Sequence, residues 1–154
     1  MYQFILAFHS LIRWLVLISL LVSIFTTYSG WFKHKVYTRQ DNFIRMITVI
    51  IAHTQLIIGL WLYFISPIVN YFLHNFKDAV HNRQIRFFGM EHITMMVIAI
   101  TLITIGSAKA KRQTTAHQKF KTTAIWFTIG LLVILSSIPW SFSPLISRPL
   151  FRSF

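Results

Sequence analysis

A chain of 154 residues in which 55% are hydrophobic and only 12% charged is too apolar for an ordinary soluble domain, where about a quarter of residues carry charge. It has no cysteine, which excludes disulfides, thiolate zinc, iron–sulfur clusters and haem attached covalently through Cys-x-x-Cys-His. The net charge of +12 lies mostly in short segments between apolar blocks, the pattern of a bilayer protein with positive loops facing anionic headgroups rather than of a nucleic-acid binder.

The first apolar block runs from about Phe4 to Tyr28. It lacks the basic start and small-residue cleavage site of a signal peptide, so a retained first span is expected. It carries His9 and, one turn later on the same face, Arg13. Tyr28, Trp31 and Phe32 close it as an interfacial belt. Loop 1, Trp31–Arg45, holds Lys33, Lys35, Arg39 and Arg45. The second span runs from about Phe43 to Ser66, stops at Pro67 and contains His53, flanked by Thr54 and Gln55. Tyr63 and Phe64 mark its far interface.

Loop 2, Pro67–Phe87, is the longest and holds His74, His81, Lys77, Arg83 and Arg86. Within it the pattern predicts an interfacial helix over about Val69–Val80, with Phe72, Leu73 and Phe76 toward lipid. The third span, about Phe88 to Ser107, places His92 in its first turn, with Met95 and Met96 one turn on. Loop 3, Ala108–Lys121, contains Lys109, Lys111, Arg112, His117, Lys119 and Lys121. The fourth span runs from about Thr122 to Ile138 and stops at Pro139, with Trp140 and Phe142 at the interface and Arg148 and Arg152 in the tail. Each block is near the ~20 residues that cross a bilayer as helix. The expected fold is all-α: one transmembrane up-down four-helix bundle over 1–154.

Loops 1 and 3 lie on one side and hold nine of the fifteen Lys and Arg residues. The positive-inside rule then puts both loops in the cytoplasm and both termini outside.

Ionisable side chains at membrane depth are costly and usually face a bundle interior. At 1.5 Å per residue, His9 lies about 8 Å into the first span and His92 about 6 Å into the third from the same side. Spans 1 and 3 are parallel and diagonal in an up-down bundle, so the two can meet in the core, where bundles build cofactor sites. Six-coordinate haem b needs two neutral imidazoles facing each other, and neutral imidazole is the form that binds metal. The start of a helix disfavours protonated His92. Met95 or Met96 offers a thioether as substitute ligand. Arg13 suggests an anionic partner such as a haem propionate, with Glu91 the alternative. His53 is about 15 Å deep and His117 lies at the inner surface, an offset that makes a shared planar cofactor harder to bridge; His117 could approach only if the fourth span begins several residues earlier.

The bland reading is that each intramembrane histidine simply hydrogen-bonds between helices. His34, His74 and His81 read as surface residues. Gly59, Ala99 and Gly106 permit close helix approach in any bundle. There is no nucleophile–base pairing or phosphate loop to support a hydrolase or kinase.

The blocks His9-Ser-Leu-Ile-Arg-Trp14, His53-Thr-Gln-Leu-Ile-Ile-Gly-Leu-Trp-Leu-Tyr63, Glu91-His-Ile-Thr-Met-Met96 and Ser137-Ile-Pro-Trp140 resemble a family of small four-span bacterial membrane proteins described as cytochrome b-like. The resemblance covers nearly the whole chain. It implies a multi-pass protein of the bacterial inner membrane with non-covalent haem b, engaged in electron transfer within a respiratory or redox complex. His9, His53, His92 and His117 become ligand candidates by that likeness. Expected partners are the lipid bilayer, a larger membrane complex or further copies of the chain, and quinone. Two other readings stay open: an accessory subunit whose histidines are structural, and a proton or metal-ion pathway component.

Overall fold

In the computed structural model, which describes residues 1–140, the chain is helical almost throughout. The expected roles of Phe142, Arg148 and Arg152 fall outside the described residues. The helices are α1 (Tyr2–Phe32), α2 (Arg39–Ile65), α3 (Pro67–His74), α4 (Phe76–Ala79), α5 (Arg83–Arg86), α6 (His92–Arg112) and α7 (Ala116–Ser137). A π-helical turn, Phe87–Glu91, joins α5 to α6. Four helical stretches are long and apolar enough to cross a membrane: α1, α2, the run Arg83–Arg112 and α7, with mean hydropathy from 1.5 to 2.2.

The helices outrun the apolar blocks because polar residues at their ends cap them. Thr38 and Asp41 form a reciprocal capping box, with the Thr38 N–H donating to Asp41 Oδ2 at 2.8 Å and the Asp41 N–H donating to Thr38 Oγ1 at 3.3 Å. That box starts α2 at Arg39 and shrinks loop 1 to residues 33–38. Thr115 Oγ1 caps α7 by accepting from the Gln118 N–H, leaving only 113–115 as loop 3. Ser66 caps α3, and Pro67 occupies its first position, where a missing N–H costs nothing.

Successive long helices pack antiparallel, and α7 returns against α1, closing the up-down ring. α1 and α6 therefore share one diagonal, α2 and α7 the other. Within lipid there is little hydrophobic drive between helices, so close packing must hold them. It does so where small residues admit large ones: Phe120 fills the space over Gly30, Trp126 lies on Gly106 and Ile103 on Gly130. Leu20, Ala52, Ala99, Ile103 and Phe127 are fully enclosed at the centre.

Two expectations need correction. Arg45 is no solvated loop charge: it is 4% exposed. Its Nη1 donates to the Ser107 carbonyl at 3.1 Å and to Ser107 Oγ, and its Nη2 donates to Asn42 Oδ1 at 2.7 Å. Phe72 faces inward at 4% exposure, against Gly89, where a Cβ would overlap its ring, while Leu73 and Phe76 remain exposed. The single interfacial helix is broken at Asn75 into α3 and α4.

Arg45 also reaches Tyr37, whose phenol is pushed up from 10.0 by burial, opposed by the Arg45 hydrogen bond. A raised folded-state value means that stability is complete below pH 10.0 and declines as pH rises through the folded value. Melting temperature is expected to fall from about pH 9 to about pH 11 less steeply in Tyr37→Phe than in the wild type. Equal slopes would sink the assignment.

Candidate functional site

At the end of the bundle that carries the N-terminus, the four spans enclose a cavity of about 340 Å³. Its α1 wall is a helical stripe, Tyr2, Leu6, His9, Arg13 and Val16, at the three- and four-residue steps that share a face. From α2 come Ala52, Gln55, Leu56, Gly59, Leu62 and Tyr63. From α6 come His92, Ile93, Met96 and Ile100, and α7 adds Ile134 and Ile138. α3 crosses the end, contributing Ile68 and Val69. The lining is mostly apolar, with a few polar groups converging from different helices, the usual character of a small-molecule site.

His92 is held from α7. Its Nδ1 lies 2.9 Å from the carbonyl oxygen of Ser137. That carbonyl belongs to the last turn of α7, where no intrahelical N–H serves it. A carbonyl only accepts, so the proton is on Nδ1, and Nε2 keeps its lone pair and has no hydrogen bond among the described residues. Anchoring one ring nitrogen on a backbone carbonyl is the common support for a metal-binding histidine. The helix-start argument for His92 is corrected, because the π turn and α5 precede it and the helical run begins at Arg83. π turns inside helices occur often at functional sites. Here the Gly89 carbonyl accepts from Tyr63 Oη at 2.9 Å, tying the turn to α2.

His9 is held from α2. Gln55 Nε2 donates to the His9 carbonyl at 2.9 Å, which fixes the orientation of the amide. The same Nε2 stands 3.3 Å from His9 Nε2, which must accept, so the ring proton sits on Nδ1. His9 Nδ1 and Gln55 Oε1 are both buried with no hydrogen-bond partner among the described residues. Each such orphan costs about 1–3 kcal/mol. Gly59 makes room for the ring: a Cβ there would lie 3.1 Å from His9 Cε1.

Arg13 faces the cavity, and its guanidinium carbon is 5.4 Å from the centre of the Trp14 ring. Trp14 meets Trp140 edge-on at 6.3 Å. Glu91 is engaged elsewhere, accepting from Arg86 Nε at 2.6 Å. Met96 reaches the cavity wall, and Met95 is not part of it.

The other two candidates lie apart. His53 Nδ1 donates to the Val49 carbonyl of its own helix at 2.8 Å, and its Nε2 is 3.3 Å from Thr104 Oγ1 on α6. It joins two helices and is not in the cavity wall. His117 is exposed beside loop 3, stacked on His34 at 5.3 Å with its edge toward Trp31 at 6.3 Å. His92 packs at the far end of α7, some 20 residues or about 30 Å from His117 along that helix.

Sequence reasoning treated Gln55 only as a neighbour of His53 and did not single out Ser137. Gln55 lies one turn before Gly59 on the same α2 face, a signal that a helical-wheel comparison of the two would have shown.

Among the described residues no three His, Asp or Glu side chains cluster as a metal site. Two imidazoles from diagonal helices and an arginine converge on the one cavity. No family model, curated protein or solved structure matches the chain.

Proposed function

We propose that this chain is a haem b-binding protein of the bacterial inner membrane, related to the small cytochrome b-like proteins its sequence blocks resemble, and that it serves electron transfer within a larger membrane complex. The observation that carries the reading is that His9 and His92, from diagonal helices, line one cavity, with the lone pair of His92 Nε2 left open. His92, anchored on the Ser137 carbonyl, and His9 would hold the iron from the two helices of one diagonal. Arg13 would hold a propionate. The apolar walls would exclude water from the ring. Bound haem supplies a one-electron couple, and quinol in the bilayer is the donor class that fits a protein without other redox groups. Loops 1 and 3 would face the cytoplasm.

The test is a reduced-minus-oxidised visible spectrum of detergent-purified protein produced with ample haem, with haem extraction from the same sample. The expected result is a sharp b-type band and stoichiometric haem. A colourless, folded protein would overturn the reading. It would favour the second one, an accessory subunit whose histidines only fasten helices, as His53 does between α2 and α6.

A further inference from the structure

His9 and His92 are held in opposite ways. The anchor on His92 is at Nδ1, so the nitrogen able to bind iron is uncovered. The contact on His9 is at Nε2, where the Gln55 amide covers the lone pair, and Nδ1 carries the proton. His9 in this arrangement has no nitrogen to offer a metal until Gln55 lets go. Gln55 is itself held to the His9 backbone, so the latch and the ligand travel together on one α1–α2 contact. The ring packs closely on Gly59 of α2, where a Cβ would lie 3.1 Å from its Cε1.

We infer that Gln55 is a latch on His9 that makes it the exchangeable ligand, and that the His9 side of the cavity is a site for a small neutral diatomic ligand of iron. The inference rests on the haem reading above and deepens it. His92 stays as the permanent ligand. With His9 held on Gln55, that side of the apolar cavity would be left open to a ligand, with Arg13 in its lining. A guanidinium is the kind of hydrogen-bond donor with which a distal pocket favours a bound diatomic molecule. In such an exchange the His9–iron bond would break, the iron–diatomic bond would form, and His9 Nε2 would again accept from Gln55, with no electron transferred.

Carbon monoxide is the probe, added to the dithionite-reduced holoprotein in detergent. The wild type is expected to lose its low-spin band and form a carbonyl complex. His9→Ala is expected to keep its haem, become high-spin and bind carbon monoxide at least as tightly. In Gln55→Leu, His9 would be released to the iron, and carbon monoxide affinity is expected to fall roughly 10- to 100-fold, the range for losing a residue that hydrogen-bonds a ligating side chain. A purely structural Gln55 would lower melting temperature and leave that affinity alone. Haem present but inert to saturating carbon monoxide, or equal affinity in wild type and Gln55→Leu, would overturn the latch and leave the haem reading standing. Loss of all haem from a folded His9→Ala would do the same. A wild type without haem would take down both.

Discussion

His92→Ala is expected to lose all b-type absorbance while remaining a folded four-span bundle. His92 is the one cavity imidazole whose metal-binding nitrogen is already uncovered and whose other nitrogen is already anchored. On the haem reading, its removal would delete the anchored ligand, and His9, whose Nε2 accepts from Gln55, would not replace it. The fold should survive because the loss is confined to one hydrogen bond and the Ser137 carbonyl it leaves unpaired, about 1–3 kcal/mol. The close packing of α6 on α7 lies further along the helices, at Gly106 with Trp126 and Gly130 with Ile103. His53→Ala is the control. It removes an interhelical contact of the kind worth about 0.6 kcal/mol in a membrane bundle, and haem content should stay at the wild-type level. Haem per protein, read by extraction beside a gel-filtration profile, separates the cases. A folded His92→Ala with full haem would sink the assignment.

Much of this arrangement was legible before the structure. Runs of about 20 apolar residues announce spans directly, because the bilayer thickness sets their length. The match of His9 to His92 followed from rise per residue alone, and both line the same cavity. What one sequence does not show is where a helix stops once it leaves the apolar run. The Thr38–Asp41 box extends α2 back into residues that composition assigns to a loop. Arg45 was counted with the loop charges for that reason. It lies inside α2, is buried, and clasps Ser107 of α6.

The orientation of side chains within short elements was the other blind point. Phe72, Leu73 and Phe76 look alike in composition, yet Gly89 on the π turn makes a place for Phe72 alone. A π turn has no apolar signature, because its cause is the local bond pattern and not the residue pattern. The same applies to Gln55 and Ser137. One contributes an amide and the other a main-chain carbonyl, and the carbonyl is common to every residue, so only the end of α7 makes the one at Ser137 available.

Gly106→Leu is expected to break the α6–α7 seam and cause the largest loss of stability of any change away from the cavity. A Cβ on residue 106 would overlap Trp126 Cβ, an atom fixed to the α7 backbone. A flexible ring could swing aside, but a Cβ cannot, so the two helices would have to separate. Overpacking usually costs about 1–3 kcal/mol, and the upper end or beyond is expected where backbone must move. In lipid the loss is felt fully, since van der Waals contact between helices is the main force available to hold them. The contrast is Gly59→Ala, whose new Cβ meets the edge of the His9 ring at 3.1 Å and asks only for a small shift. Trp126→Ala should fail to rescue Gly106→Leu, because alanine keeps the offending Cβ. Thermal unfolding in one detergent, followed by helix signal and by retention of monodisperse protein, reads all three. A Gly106→Leu protein that melts with the wild type would mean that α6 and α7 are not in this register.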